Sequence, residues 1–144
     1  MPKLYERLGL RFQYPDNWTL DEAEALAGNH SVSIYSPTGA FWSVAVRPRD
    51  VDAGCAASTA LAAMREEYND LEAEPTTDCV AGHELTGFDI NFCYLDLTST
   101  AGVRCAEFDQ STLVIFYQAE DRDYIAVEPV FRAMTYSLLI SLSS

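Results

Sequence analysis

Lysine is nearly missing from this chain. Lys3 is the one lysine in 144 residues, and with eight arginines it faces 22 Asp and Glu, for a formal net charge of −13. A surface so poor in cations repels phosphate backbones and anionic lipid, so nucleic-acid binding and membrane-surface docking are the first classes to fall. Histidine is scarce too, with His30 and His83 alone, which leaves little material for acid–base chemistry. None of the four cysteines (Cys55, Cys79, Cys93, Cys105) stands at C-x-x-C spacing, so zinc-ribbon and thioredoxin-type sites have no support. G-x-S-x-G, H-E-x-x-H, P-loop, G-x-G-x-x-G and EF-hand patterns are all absent, and with them the enzyme and metal classes they serve. No apolar run approaches the roughly 20 residues of a membrane helix. Met1 to Leu10 has neither the apolar core nor the cleavage site of a signal peptide. A soluble, cytoplasmic protein is expected. Its cysteines are then reduced, and the sequons at Asn17 and Asn29 are chance.

What is present describes a globular domain. Hydrophobic residues make up 49% of the chain and charged residues 22%, enough for one core, and nothing divides the chain, so residues 1–144 read as a single domain. Leu10 to Tyr14 alternates apolar and polar residues as a strand does. Pro15-Asp16-Asn17 is a turn. Trp18 to Glu22, Ser31 to Tyr35 and Phe41 to Arg47 read as further strands, the last two joined by Ser36-Pro37-Thr38-Gly39. Then the period changes. Asp52 is a plausible N-cap for a helix to Tyr68 with the stripe Ala57, Ala60, Leu61, Met64 and Tyr68. Leu71 to Thr77 contains Pro75 and so belongs at a sheet edge. A long strand follows over Glu84 to Leu97, with Phe88, Ile90, Phe92 and Tyr94 on one face. Thr98 to Gly102 is expected to turn, Val103 to Asp109 to pair back, and Ser111 to Ala119 to fill the middle of the sheet, being apolar on both faces. A second helix starts at Glu120 to Asp123 and carries Val127, Val130, Phe131, Met134 and Leu138, with Pro129 expected near its start. Meandering strands with inserted helices predict an α+β fold: a single antiparallel β-sheet flanked by helices on both faces, an α/β/α sandwich.

Tyr14-Pro15-Asp16-Asn17-Trp18 after a strand resembles the Y-P-x-x-W opening of the PsbP-like superfamily. Phe131-x-x-Met134-x-x-Ser137-Leu138 resembles its closing helix, and the element order between is similar from Leu10 to Leu138. The superfamily includes PsbP subunits of the photosynthetic water-oxidising complex, Mog-type proteins that bind the GTPase Ran, and bacterial proteins of unknown function, some of them chaperones for secreted effectors. The resemblance implies binding rather than catalysis, in a bacterial member of unknown function. The chain lacks the long N-terminal extension of PsbP proper. Mog-type proteins use acidic surface residues, but none is matched here by motif, so none is carried over.

Candidate sites are few. His83 lies four residues after Cys79, and a Cys–His pair can activate a thiolate; neighbouring Asp78 and Glu84 oppose this by raising the thiol pKa. Should 86–97 and 103–109 form a hairpin, Cys93 and Cys105 could face each other across it. The sharpest feature is charge. Glu66 to Val103 holds nine acids and no Lys or Arg, densest at Glu66, Glu67, Asp70, Glu72 and Glu74. Glu66 and Glu67 sit at the negative end of their helix, an unfavourable place. The patch reads as a generally solubilising face, as a docking site for a basic partner or as protection of a sheet edge. The expected function is a non-enzymatic protein-binding or adaptor domain without metal or cofactor. The alternatives are a chaperone for a secreted effector with an apolar sheet groove and, further off, a small thiol-dependent enzyme.

Overall fold

The computed structural model describes residues 2–7, 9–28 and 30–142; the Asn29 sequon lies outside them. Strands β1 (Lys3–Arg7) and β2 (Leu10–Tyr14) form a two-stranded antiparallel sheet with Tyr5 opposite Phe12. β3 (Thr19–Asp21), a short helix α1 (Ala23–Leu26), β4 (Ser31–Tyr35), β5 (Phe41–Pro48), α2 (Ala53–Glu67), β6 (Leu71–Val80), β7 (His83–Tyr94), β8 (Leu97–Glu107), β9 (Ser111–Glu120) and α3 (Asp121–Ser141) follow. The seven strands β3 to β9 make one antiparallel sheet in the order β3-β4-β5-β9-β8-β7-β6. The α+β class is therefore as the sequence predicts, but the single sheet is not. β1 and β2 leave the main sheet and pair with each other, because β1, unread in the sequence, gives β2 a partner of its own.

α2 begins where Asp52, in extended backbone, accepts the Cys55 amide at 2.7 Å. Its buried residues Ala53, Ala56, Ala57, Leu61 and Met64 lie on Ile90, Phe92, Ala101, Val103 and Cys105. Small alanines let the helix sit close to the sheet. α3 buries Val127, Phe131, Met134 and Leu138 in a second core with Phe12, Trp18, Trp42 and Ile115. Leu113 and Ile115 of β9 belong to this core, whereas Val114 and Phe116 border the one under α2. Successive strand residues point to opposite sides, which is why β9 is apolar throughout.

The opening and closing motifs meet in space. The Trp18 amide closes its turn on the Pro15 carbonyl at 3.1 Å, and the Trp18 ring stands edge-on to Phe131 at 6.0 Å. Ser137 Oγ accepts the Gln13 amide of β2 at 2.9 Å, and Trp42 Nε1 donates to Thr135 Oγ1 at 3.0 Å. These contacts hold α3 to both sheets.

Three local expectations are corrected. The β7–β8 turn is at Leu95 and Asp96, not at Thr98 to Gly102. Both residues have positive φ, 52° and 65°, as a two-residue hairpin turn requires. This register sets Cys93 opposite Thr98 and Cys105 opposite Thr86, so the two thiols do not face each other; all four cysteines are free. Pro129 lies well inside α3 rather than near its start. The amide it lacks would have bonded the carbonyl of Ile125, a residue 87% exposed, so the lost bond falls on the solvent side of the helix.

Candidate functional site

The structure divides the predicted acidic patch. Glu66 and Glu67 end α2, and Asp70 lies in the connection to β6; all are exposed. The Asp70 carbonyl accepts the Cys93 amide at 3.3 Å. Glu72 and Glu74 are exposed on β6, the edge strand. Leu71 and Ala73 border the core under α2, so by strand alternation Glu72 and Glu74 point to the other face. There Glu74 stands directly opposite Asp89, and Asp78 opposite Leu85. Glu72, Glu74, Asp78 and Asp89 thus share one side of the β6–β7 ribbon, while Glu66 and Glu67 belong to the helix on the other.

Motif reasoning missed the group at the centre of that acidic side. Arg104 of β8 is 8% exposed. Its Nε donates to Asp78 at 2.6 Å, its Nη2 to Asp89 at 2.5 Å, and its Nη1 to the carbonyls of Phe88 and Val103, each at 3.0 Å. Burial works against its charge, but the Tyr117 phenol and the hydrogen bonds to Asp89 and Asp78 outweigh it and raise the Arg104 pKa. The guanidinium carbon lies 6.0 Å from the centre of the Tyr117 ring, and desolvation pushes the Tyr117 pKa up to about 12. Two mid-strand glycines make room. A Cβ on Gly102 would stand 2.4 Å from the Tyr117 ring, and one on Gly87 would stand 1.8 Å from the Val103 carbonyl oxygen. Legible signals existed: an arginine inside the apolar run Val103 to Ala106, and glycines inside two strands. The adjoining cavity under α3, lined by Asp78, Arg104, Tyr117, Tyr124 and Glu128, measures about 60 Å³. That is room for water, far below the roughly 300 Å³ of a small-molecule pocket.

The thiol candidates are not assembled. Cys79 is exposed and pairs across the strands with Glu84, whereas His83 pairs with Val80 and rests on the Phe108 ring at 5.0 Å. Cross-strand partners share a face, so Cys79 and His83 occupy opposite faces of the hairpin. Burial pushes the Cys105 thiol up to about 12. Among the described residues no group of three His, Cys, Asp or Glu could hold a metal ion, and no helix is long and apolar enough to cross a membrane.

No family model matches the sequence, and no curated protein matches it. Solved structures do. The chain is similar to cyanobacterial PsbP (CyanoP) of Synechocystis sp. PCC 6803, with TM-score 0.64 at 14% identity over 94% of this chain and 90% of that one. The fold is PsbP-like. The same fold relates it to PA94 of Pseudomonas aeruginosa, a protein of unknown function, with TM-score 0.54 at 14% identity over 95% of each chain. LpqN of Mycobacterium tuberculosis, involved in cell envelope biogenesis, matches with TM-score 0.54 at 9% identity over 93% of this chain and 87% of that one. At such identities the PsbP-like likeness concerns architecture and leaves function to the chain's own residues.

Proposed function

We propose that this chain is a non-catalytic protein-binding or adaptor domain whose β6 edge and adjoining acidic residues receive a basic segment of a protein partner, in the cytoplasm. One observation carries the reading: Glu74 and Asp89, both exposed, stand directly opposite each other across β6 and β7. Like charges in that position destabilise a sheet; Asp89 serves the fold as a partner of buried Arg104, but folding alone does not require Glu74 opposite it. Arg104 relieves Asp89 and Asp78 but is itself buried, so it is not offered to solvent. Glu72, Glu74, Asp78 and Asp89 on one side and Glu66, Glu67 and Asp70 at the end of α2 would then grip the segment from both sides of the edge. The proposal takes the large sheet as the middle of three layers, with α2 on one side and α3 with the β1–β2 hairpin on the other, which the two separate cores support.

The test is titration of a labelled lysine-rich peptide, and of any protein captured on the immobilised domain, against wild type and a variant with Glu66, Glu67, Asp70, Glu72 and Glu74 changed to their amides. Saturable binding that weakens at least about tenfold in the variant and falls with salt is the expected result. Unchanged binding rejects the acidic surface.

A second reading, a chaperone for a secreted effector, draws on Tyr35, Phe41 and Phe116. Their rings lie in a row, tilted against each other at centroid distances of 5.6 Å and 5.7 Å, on the sheet side beside α2, and Tyr35 is exposed. Loss of client protection in a folded Tyr35→Ser, Phe41→Ser variant would favour it over the acidic edge.

A further inference from the structure

The outward side of α3 does not look like the solvent side of a helix in an acidic protein. Residues 124–142 contain one acid, Glu128, and one base, Arg132, in a chain of net charge −13. The two neutralise each other in an i,i+4 ion pair. Ala126, Pro129, Ala133, Tyr136 and Ile140 are all exposed, with Tyr136 at 51% and Ile140 at 49%. Their spacing is 3, 4, 3 and 4, the seam spacing of paired helices. They lie opposite the buried stripe Val127, Phe131, Met134 and Leu138, so they have no role in this chain's own core. The ridge they form stands between two open grooves. One, of about 550 Å³, runs beside Gln13, Tyr14 and Pro15; the other, of about 590 Å³, runs beside Cys79, Val80 and Ala81.

We propose that this face of α3 is a self-association surface, covered by the same face of a second copy of the chain in an antiparallel helix pair. Charge selects the occupant. Two copies at −13 repel each other wherever their acids meet, and the α3 face is a locally neutral approach. Symmetry selects it too. A two-fold axis near residue 131 sets bulky Tyr136 against Ala126 of the second copy and Ala133 against Pro129, so large and small residues alternate along the seam. It also brings Glu128 within reach of Arg132 of the second copy, and the reverse, so both ion pairs can be shared. Such a reciprocal contact is what a closed dimer needs. The surface is separate from the acidic β6 edge, and the proposal stands or falls independently of the binding function.

The experiment is sedimentation of the full chain over a wide concentration range. Wild type should move from 16.0 kDa to twice that mass, and more readily at high salt, which screens the net charge. Ala133→Glu sets two carboxylates against each other near the axis and should weaken the dimer at least about tenfold. Because Ala133 is exposed, circular dichroism should show the variant folded. Mixing Ala133→Glu with Ala133→Lys should restore a dimer, which a misfolded variant could not do. A wild type that stays monomeric at every concentration overturns the proposal. So does a dimer that Ala133→Glu leaves intact, or a mixture of the two variants that stays monomeric.

Discussion

Arg104 is the residue on which the β6–β7–β8 corner turns. A buried guanidinium with four hydrogen bonds is costly to leave half-paired and costly to remove. Its partners Asp78 and Asp89 are about half exposed and can return to water, which moderates the loss. Arg104→Met should therefore lower stability by about 2–3 kcal/mol in urea unfolding, and Arg104→Lys should recover less than half of that, lacking the planar fork. Gly102→Ala should cost about 1–3 kcal/mol, because Tyr117 must yield to the new methyl. Thiol reagent in native buffer should label Cys55, Cys79 and Cys93, which are exposed, and reach Cys105 on unfolding. Fast labelling of Cys105 in the native protein would contradict its burial.

At the scale of elements, the β7–β8 turn is the local weak point. Leu95 holds φ of 52° and is 78% exposed, so a branched side chain bears left-handed strain of about 1 kcal/mol with no burial in return. The double change Leu95→Asn, Asp96→Gly should raise the unfolding midpoint and stabilise by about 0.5–1 kcal/mol. A fall would mean that the Leu95 or Asp96 side chain makes a stabilising contact within the folded chain. Helix α2 was readable from its cap and stripe because both are local. Pro129 misled for the same reason: proline usually marks a helix start, but the core contacts of Tyr124 and Val127 before it and of Phe131, Met134 and Leu138 after it extend α3 on both sides.

For the whole molecule, pH and salt act through burial and net charge. Unfolded, Cys105 loses its proton near 9.0; folded, it holds it to about 12. Tyr117 behaves alike between 10.0 and about 12. Between those limits the unfolded chain binds fewer protons, so stability is intact below pH 9 and falls as pH rises towards 12. Equilibrium unfolding across that range should show the decline, and Cys105→Ala should flatten its early part. A stability that rises with pH there would contradict the burial of both groups.

Near-neighbour patterns determined much of this protein by themselves. Alternation wrote most strands, the Asp52 cap and alanine stripe wrote α2, and the Y-P-x-x-W and F-x-x-M-x-x-S-L ends pointed to the architecture. The acidic excess was also plain in the sequence. Tertiary structure alone decided the register that parts Cys93 from Cys105, the withdrawal of β1 and β2 into their own sheet, and the division of the acids between two faces. It also brought Arg104 to Asp78 and Asp89 across two strand pairings. The physical reason is range. Caps, turns and periodic stripes depend on residues a few positions apart, whereas register and face are fixed by which strand lies alongside and by which hairpin turn joins them, and a shift of one residue there exchanges every side chain between the faces.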